Sequence, residues 1–222
     1  MIFSKVNYFD IYSLLFVILE MGRKSVDKVR TNNPEKRRGL ALELMPLLER
    51  QGLAGLTMDG LASMVNRSKA TIYKYFRSRE ELLDLALRLK LERIRDFVPL
   101  LMDVEQPFLD RYFRAVQFFL EQLSTISNAF LADLRRLFPN IWKQVDQLLE
   151  YSAQVLQEYY QEGILNGILI NIHPEMLALS DRFLFQEICN PVFLQAGQLT
   201  IHTAFEEYFR MKFFGLVKEK KV

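Results

Sequence analysis

From residue 34 onward, apolar residues recur every three or four positions, the period of helices that bury one face. Asn33-Pro34-Glu35 reads as a helix start: a capping Asn, Pro where its missing N–H costs nothing, then an acid. Leu40, Leu44, Leu47 and Leu48 continue that helix, and Gly52 ends it. Pro46 falls inside it, where it removes a backbone bond and crowds the Leu42 carbonyl at about 3 kcal/mol. A kink or an early break is expected there. Thr57 caps a short helix over 58–65 that turns Leu61, Ala62 and Val65 inward and is weakened by Gly60. Asn66-Arg67-Ser68 forms a compact turn, because Asn tolerates the left-handed conformation. Ser68 then caps a second short helix over 69–76, with Ile72 and Phe76, four apart, pointing into a small core. Ser78-Arg79-Glu80-Glu81 has the form of a capping box. It opens a long helix that Pro99 closes. Its apolar positions, among them Leu82, Leu83, Ala86, Leu87, Leu89, Leu91, Ile94 and Phe97, are too many for one stripe, so both sides are expected to be buried.

Five further helices are expected, at about 106–125, 128–138, 140–162, 174–189 and 200–215. Gly163 and Gly167 bracket a turn, His173-Pro174-Glu175 restarts a helix, Asn190-Pro191 breaks it, and Thr200 caps the last one. No internal repeat, low-complexity tract or alternating strand pattern interrupts this series. With 9 Gly and 7 Pro in 222 residues, the expected class is all-α. Residues 1–20 are apolar, but Lys5, Asn7, Asp10 and Ser13 interrupt them, and the cleanest run, 11–19, is too short to span a membrane. A signal peptide would need a basic start and a small-residue cleavage site. The pattern suits a true start at Met21, which opens a polar, basic arm. A genuine extra helix or a weak membrane anchor is the alternative.

The single Cys189 excludes an intramolecular disulfide and any multi-cysteine metal or iron–sulfur site, and points to a reducing compartment. The net charge of +2 conceals an asymmetry: residues 21–98 hold seventeen Lys/Arg against ten Asp/Glu, and residues 99–222 hold eleven against fifteen. A basic first half suits contact with a polyanion; a charge fluctuation along a solvated surface is the plainer explanation. The two histidines, His173 and His202, lie in no catalytic pattern, and no phosphate-binding or nucleophile signature is present. An enzyme is therefore not expected, nor is a cofactor or metal.

Two short helices joined by a tight turn, after a longer helix and within a basic segment, have the form of a helix-turn-helix, whose second helix enters the major groove. Lys69, Thr71, Tyr73, Lys74 and Tyr75 crowd that second helix, with Ser68 at its start. These are side-chain types that reach phosphates and base edges, although Lys/Tyr-rich helices are also common on ordinary solvated faces. The wording of the stretch adds weight. Thr57-Met58-Asp59-Gly60-Leu61-Ala62, then Ser68-Lys69-Ala70-Thr71-Ile72-Tyr73-Lys74-Tyr75-Phe76, then Ser78-Arg79-Glu80-Glu81-Leu82-Leu83 resembles the DNA-binding domain of the TetR family of bacterial transcriptional regulators over about residues 36–83. The resemblance implies an N-terminal three-helix DNA-binding domain over 34–82, preceded by an extension and basic arm over 1–33. A helical effector-binding and dimerisation domain over 83–222 would follow. It implies that Thr57 contacts phosphate, that Ser68, Lys69, Ala70, Thr71, Tyr73, Lys74 and Tyr75 form the recognition helix and its flanks, and that Arg79 takes the place of a phosphate-touching Lys. Lys36, Arg37 and Arg38 would meet the backbone or the minor groove. Asn66-Arg67 departs from the family's Gly-Val, so Arg67 either reaches DNA or leaves the local core looser.

Thirteen of the eighteen Phe lie in residues 99–222. They suit plain core packing, or the wall of a pocket for an apolar or aromatic effector, as the resemblance implies. Gln117, Asn128, Arg182, Gln186 and His202 are polar groups that could serve such a pocket. In this family two C-terminal helices commonly form the dimer interface. Here they would be 174–189 and 200–215, carrying Met176, Leu177, Leu184, Ile188, Ile201, Phe205, Tyr208 and Phe209. The implied function is a cytoplasmic homodimeric regulator on a palindromic operator, with no membrane partner. It would be a repressor released by an effector, with helix 78–98 carrying the signal. An activator of the same fold, and a helical adaptor without specific DNA binding, are the alternatives.

Overall fold

The computed structural model describes residues 33–217. The apolar N-terminal stretch, the proposed start at Met21 and the basic arm ahead of residue 33 lie outside the described residues. The described part is helical apart from turns and one isolated antiparallel bridge between Leu169 and Val217. Its eleven helices are α1 (Pro34–Gln51), α2 (Met58–Met64), α3 (Lys69–Tyr73), α4 (Arg79–Arg95), α5 (Phe97–Leu101), α6 (Phe108–Leu123), α7 (Asn128–Leu137), α8 (Pro139–Leu165), α9 (Pro174–Ile188), α10 (Pro191–Ala196) and α11 (Ile201–Leu216).

The helix starts are set by local chemistry. The side chains of Asn33, Thr57, Ser68, Ser78, Ser127, Asn190 and Thr200 each accept a backbone N–H of the first turn that has no partner within its helix. At Ser78 only half of the expected capping box forms. The Glu81 N–H donates to the Ser78 hydroxyl, but the Glu81 carboxylate reaches one residue further back and accepts from the Arg77 N–H at 2.6 Å. α1 ends at Gly52, whose φ of +87° suits a residue without a Cβ.

Four expectations are corrected. α1 runs unbroken through Pro46. Pro46 and Leu42 both face solvent, so water can satisfy the carbonyl that loses its bond. The long helix ends at Arg95 rather than at Val98, and the Asp96 N–H turns back to Arg93 O at 3.2 Å. Pro99 then sits in the first turn of α5, where its missing N–H is harmless. Asn190-Pro191 does more than break a helix: it starts a new one, α10, with the Asn190 side chain accepting the Val192 N–H at 3.1 Å. Gly163 lies inside α8 instead of bracketing its end. It is small because a Cβ there would sit 2.4 Å from the Phe108 ring.

α1 packs on α4, and α2 and α3 pack beside them. α4 also packs on α8 and α6, while α8 and α9 form the most extensive helix pair. The buried apolar residues form one contiguous cluster from Leu40 to Leu216, and the described residues lie within one compact unit. One buried polar cluster interrupts it. Asp181 is fully buried and accepts from the hydroxyls of Tyr160 and Tyr208 and from the Lys212 ammonium, tying α8, α9 and α11 together. A buried charge of this kind is tolerated only when paired and hydrogen-bonded, as here.

Candidate functional site

The α2–α3 unit is fixed from beneath and bare on top. Asn66 adopts φ +50°, and the turn closes with Arg67 N–H on Ala62 O at 2.9 Å. Ser68 Oγ accepts the Thr71 N–H at 3.1 Å and lies 2.8 Å from Thr71 Oγ1. Leu61, Ile72 and Phe76 are fully buried against Leu44, Leu48 and Leu82. What remains outside is Thr57, Arg67, Ser68, Lys69, Ala70, Tyr73 and Lys74, with Thr71 half-buried. Lys36 and Arg38 stand exposed near the start of α1. The structure thus brings most of the sequence-predicted contact residues onto one exposed surface.

The cations of this surface differ in freedom. Lys69 Nζ lies 2.8 Å from Asp59 Oδ2, and that carboxylate holds its pKa above the usual lysine value. Arg67 pairs loosely with Glu43 at 3.7 Å and Arg38 with Glu92 at 3.5 Å. Arg79 is half-buried; it donates to Leu56 O at 2.6 Å and pairs with Glu80 at 2.7 Å. Lys36, Lys74 and Arg77 have no carboxylate within 4.0 Å among the described residues. Arg77 is an exposed cation that sequence reasoning missed, because it sits in the link between helices where no periodicity assigns it a face.

Two predicted contact residues are engaged within the head rather than standing free on this surface. Tyr75 is buried, since 73–76 wind as a tight turn that points it inward. Arg37 donates to Tyr75 O at 3.1 Å and to Glu81 Oε1 at 2.7 Å, with its guanidinium 4.9 Å from the Phe76 ring centroid. Burial pushes the Glu81 carboxyl pKa up, but bonds from the Arg77 N–H and from Arg37 outweigh it and hold the group below its usual range. Arg37 and Glu81 therefore set the pose of the second short helix against α1 and α4.

The same head is clamped to the helices behind it. Asp133 of α7 accepts the N–H groups of Leu53 and Ala54, both at 2.8 Å. Glu49 of α1 is buried; its carbonyl accepts Ser127 N–H at 2.9 Å, one carboxylate oxygen accepts the Thr125 hydroxyl, and the other lies 2.7 Å from Lys90 Nζ of α4. Nothing in the local sequence marks these residues, which are ordinary charges some forty to eighty positions apart.

Behind this clamp, a cavity of about 90 Å³ lies among α4 to α9 and α11, walled chiefly by Leu, Ile and Phe side chains such as Phe119, Phe130, Phe205 and Phe209. Gln117, Asn128, Arg182, Gln186 and His202 do not line it. Asn128 instead donates to Leu199 O at 2.9 Å. Cys189 does line it, and burial pushes its thiol up to about 12, so it stays protonated and unreactive at neutral pH.

Residues 45–86 match the profile of the bacterial regulatory proteins of the TetR family. An uncharacterised HTH-type transcriptional regulator of Bacillus subtilis, YhgD, is 26% identical over 130 residues, covering 57% of this chain and 68% of that protein. The fold matches a transcriptional regulator of Saccharomonospora viridis solved with choline, at TM-score 0.63 and 17% identity, over 84% of this chain and 100% of that one. It also matches a TetR-family transcriptional regulator of Marinobacter aquaeolei, at TM-score 0.59 and 15% identity, over 73% and 81%. The matched segment is that of a TetR-type DNA-binding domain. The described residues form an all-α fold with an N-terminal helix-turn-helix and a helical C-terminal part, and the matches support a DNA-binding transcriptional regulator. The profile covers α2, α3 and the clamp at Glu49 and Leu53, and stops within α4. Among the described residues no helix is long and apolar enough to cross a membrane.

The TetR family dimerises, and here a correction to the expected face matters. Leu177, Ile188, Ile201, Phe205, Tyr208 and Phe209, expected in an intersubunit stripe, are buried within the subunit. Phe209 stacks against Phe205 and meets Phe119 and Phe185 edge-on. The apolar residues left exposed on α9, α10 and α11 are Met176, Phe183, Leu184, Val192, Met211 and Phe214 among others, with Phe214 76% exposed.

Proposed function

We propose that the chain is a homodimeric repressor in the cytoplasm that binds a palindromic operator and leaves it when a small ligand occupies the internal cavity. The single observation that carries this reading is the clamp: the loop after α1 and the buried end of α1 are held by α7 and α4, and both of those helices wall the cavity. Residues 34–82 serve as the reading head and residues 83–222 as the sensing and dimerising part, with α4 shared between them. Thr57, Arg67, Ser68, Lys69, Ala70, Thr71, Tyr73 and Lys74 face DNA, helped by Lys36, Arg38, Arg77 and Arg79, while Arg37 and Tyr75 hold the recognition helix in place.

One helix-turn-helix touches only a few base pairs, so a two-fold pair spaced by one helical turn of DNA, about 34–36 Å, gives the required specificity. The second copy would cover the exposed Leu184, Met211 and Phe214, a patch of the kind that marks an interaction surface. A ligand lowers DNA affinity only by favouring a dimer whose heads are wrongly placed, and the clamp connects the cavity to head placement. Selection from a random duplex pool tests the reading. An inverted repeat with half-sites about 10 base pairs apart is expected; a selected pool without dyad symmetry would overturn it.

A further inference from the structure

The cavity among α4–α9 and α11 holds about 90 Å³, and the surface it presents is almost wholly apolar. Its polar lining residues add little to that surface. The Lys90 ammonium is held by Glu49, 2.7 Å from Oε1. The Ser152 hydroxyl donates to the Leu148 carbonyl of its own helix at 2.7 Å. The Tyr112 hydroxyl is buried without a partner among the described residues, but the Tyr112 ring stacks on Tyr159 and Phe213, neither of which lines the cavity. Cys189, buried and protonated, behaves as a small hydrophobe. Drug-sized ligands held by placed polar groups occupy pockets of about 300–1,000 Å³. A smaller void walled by Leu, Ile and Phe gives water too few polar partners to stay, and suits molecules such as benzene or xenon.

Resting on the reading that the cavity is the effector site, we propose that its ligand is a small hydrocarbon, about the size of a single ring, with no charge and no hydrogen-bonding group. The wall selects by exclusion. A hydroxyl brought inside loses its bonds to water and gains none in return, and a charge loses far more. What favours binding is the filling of the void: apolar surface of the ligand leaves water, and the lining atoms gain contacts. Phe130, Leu131 and Leu134 line the cavity from α7, the helix whose Asp133 holds the Leu53 and Ala54 N–H groups. Occupancy therefore bears on the element that grips the head, without a polar contact to the ligand.

Trp142, the single tryptophan, lines the cavity, so its emission reports on occupancy, and the thermal midpoint gives a second readout. The full chain is titrated with benzene, phenol and benzoate, which share one ring. Benzene is expected to shift both readouts, phenol to bind at least about tenfold weaker, and benzoate not to register. Naphthalene should bind no tighter than benzene, because a second ring exceeds the void. Tyr112→Phe, which removes the unpartnered hydroxyl, should leave the ratio of benzene to phenol affinity unchanged. Phenol or benzoate binding as tightly as benzene, tighter binding of naphthalene, no response to benzene in either readout, or a selective loss of phenol binding in Tyr112→Phe would each overturn the inference. Operator affinity at saturating benzene separates the two claims, and weaker operator binding is the result expected from both. Benzene bound with operator affinity unchanged removes the effector reading and keeps the ligand class. Operator released by phenol or benzoate but not by benzene keeps the effector reading and removes this inference.

Discussion

Lys69 and Lys74 stand five residues apart, yet their charges are not equivalent. Lys69 shares its ammonium with Asp59 at 2.8 Å, so a phosphate that approaches it must compete with a carboxylate already in place. Among the described residues Lys74 has no carboxylate within 4.0 Å, and the Tyr75 ring centroid lies 5.9 Å from its Nζ, which leaves the ammonium able to neutralise a phosphate. Lys74→Ala is therefore expected to weaken DNA binding about uniformly across sequences and to reduce the slope of log affinity against log salt by about one unit. Lys69→Ala should reduce it by less. Anisotropy titrations over a salt series read both, and an unchanged slope for Lys74→Ala would remove it from the interface. Arg67 carries a different expectation. It projects from the turn, 3.7 Å from Glu43 and donating to Asn66 O at 3.4 Å, beside the start of the helix proposed to meet base edges. Arg67→Val should shift the preferred operator in a parallel site selection; identical selected sites would assign Arg67 to the scaffold.

At the scale of the helix, Pro46 is the exposed irregularity. α1 tolerates it because the Leu42 carbonyl faces water, but the lost bond and the ring contact remain unfavourable. Pro46→Ala restores the N–H and should raise stability by about 1–3 kcal/mol, seen as a higher thermal midpoint without a change in DNA affinity. A lower midpoint would show that the proline is required in place. The same helix shows what the sequence could and could not reveal. Its start at Asn33-Pro34 and its end at Gly52 were legible, because caps act over three or four residues and leave a local signature. So were the cap at Ser68 and the inward Ile72 and Phe76. The break at Asp96 and the extra helix after Asn190 were not, since a Pro in a first turn and a Pro that ends a helix look alike in sequence. Tyr75 and Arg37 read as surface positions in the sequence for a related reason. Which way a residue points just past a five-residue helix, or in the first turn of α1, is decided by packing among α1, α3 and α4, not by periodicity. Glu49 and Asp133 were invisible, because their partners lie across the molecule.

For the whole molecule, the same limit governs the dimer. Phe209 fits an apolar stripe by spacing, but it is core, so Phe209→Glu should unfold the subunit rather than separate subunits. The interface reading is tested by Phe214→Glu and Met211→Glu, which change exposed positions. Each is expected to give a folded monomer by light scattering, with an unchanged helical circular-dichroism spectrum and much weaker operator binding. An intact dimer would place the interface elsewhere.

The central claim is that an exposed, partly uncompensated basic face on a clamped head reads sequence as a dimer. The most direct test is the affinity of the full chain for its selected site and for a scrambled duplex of the same length, measured at several salt concentrations. The account predicts a preference of at least about a thousandfold that persists as salt rises. Weak binding that disappears with salt and does not distinguish the two duplexes would contradict it.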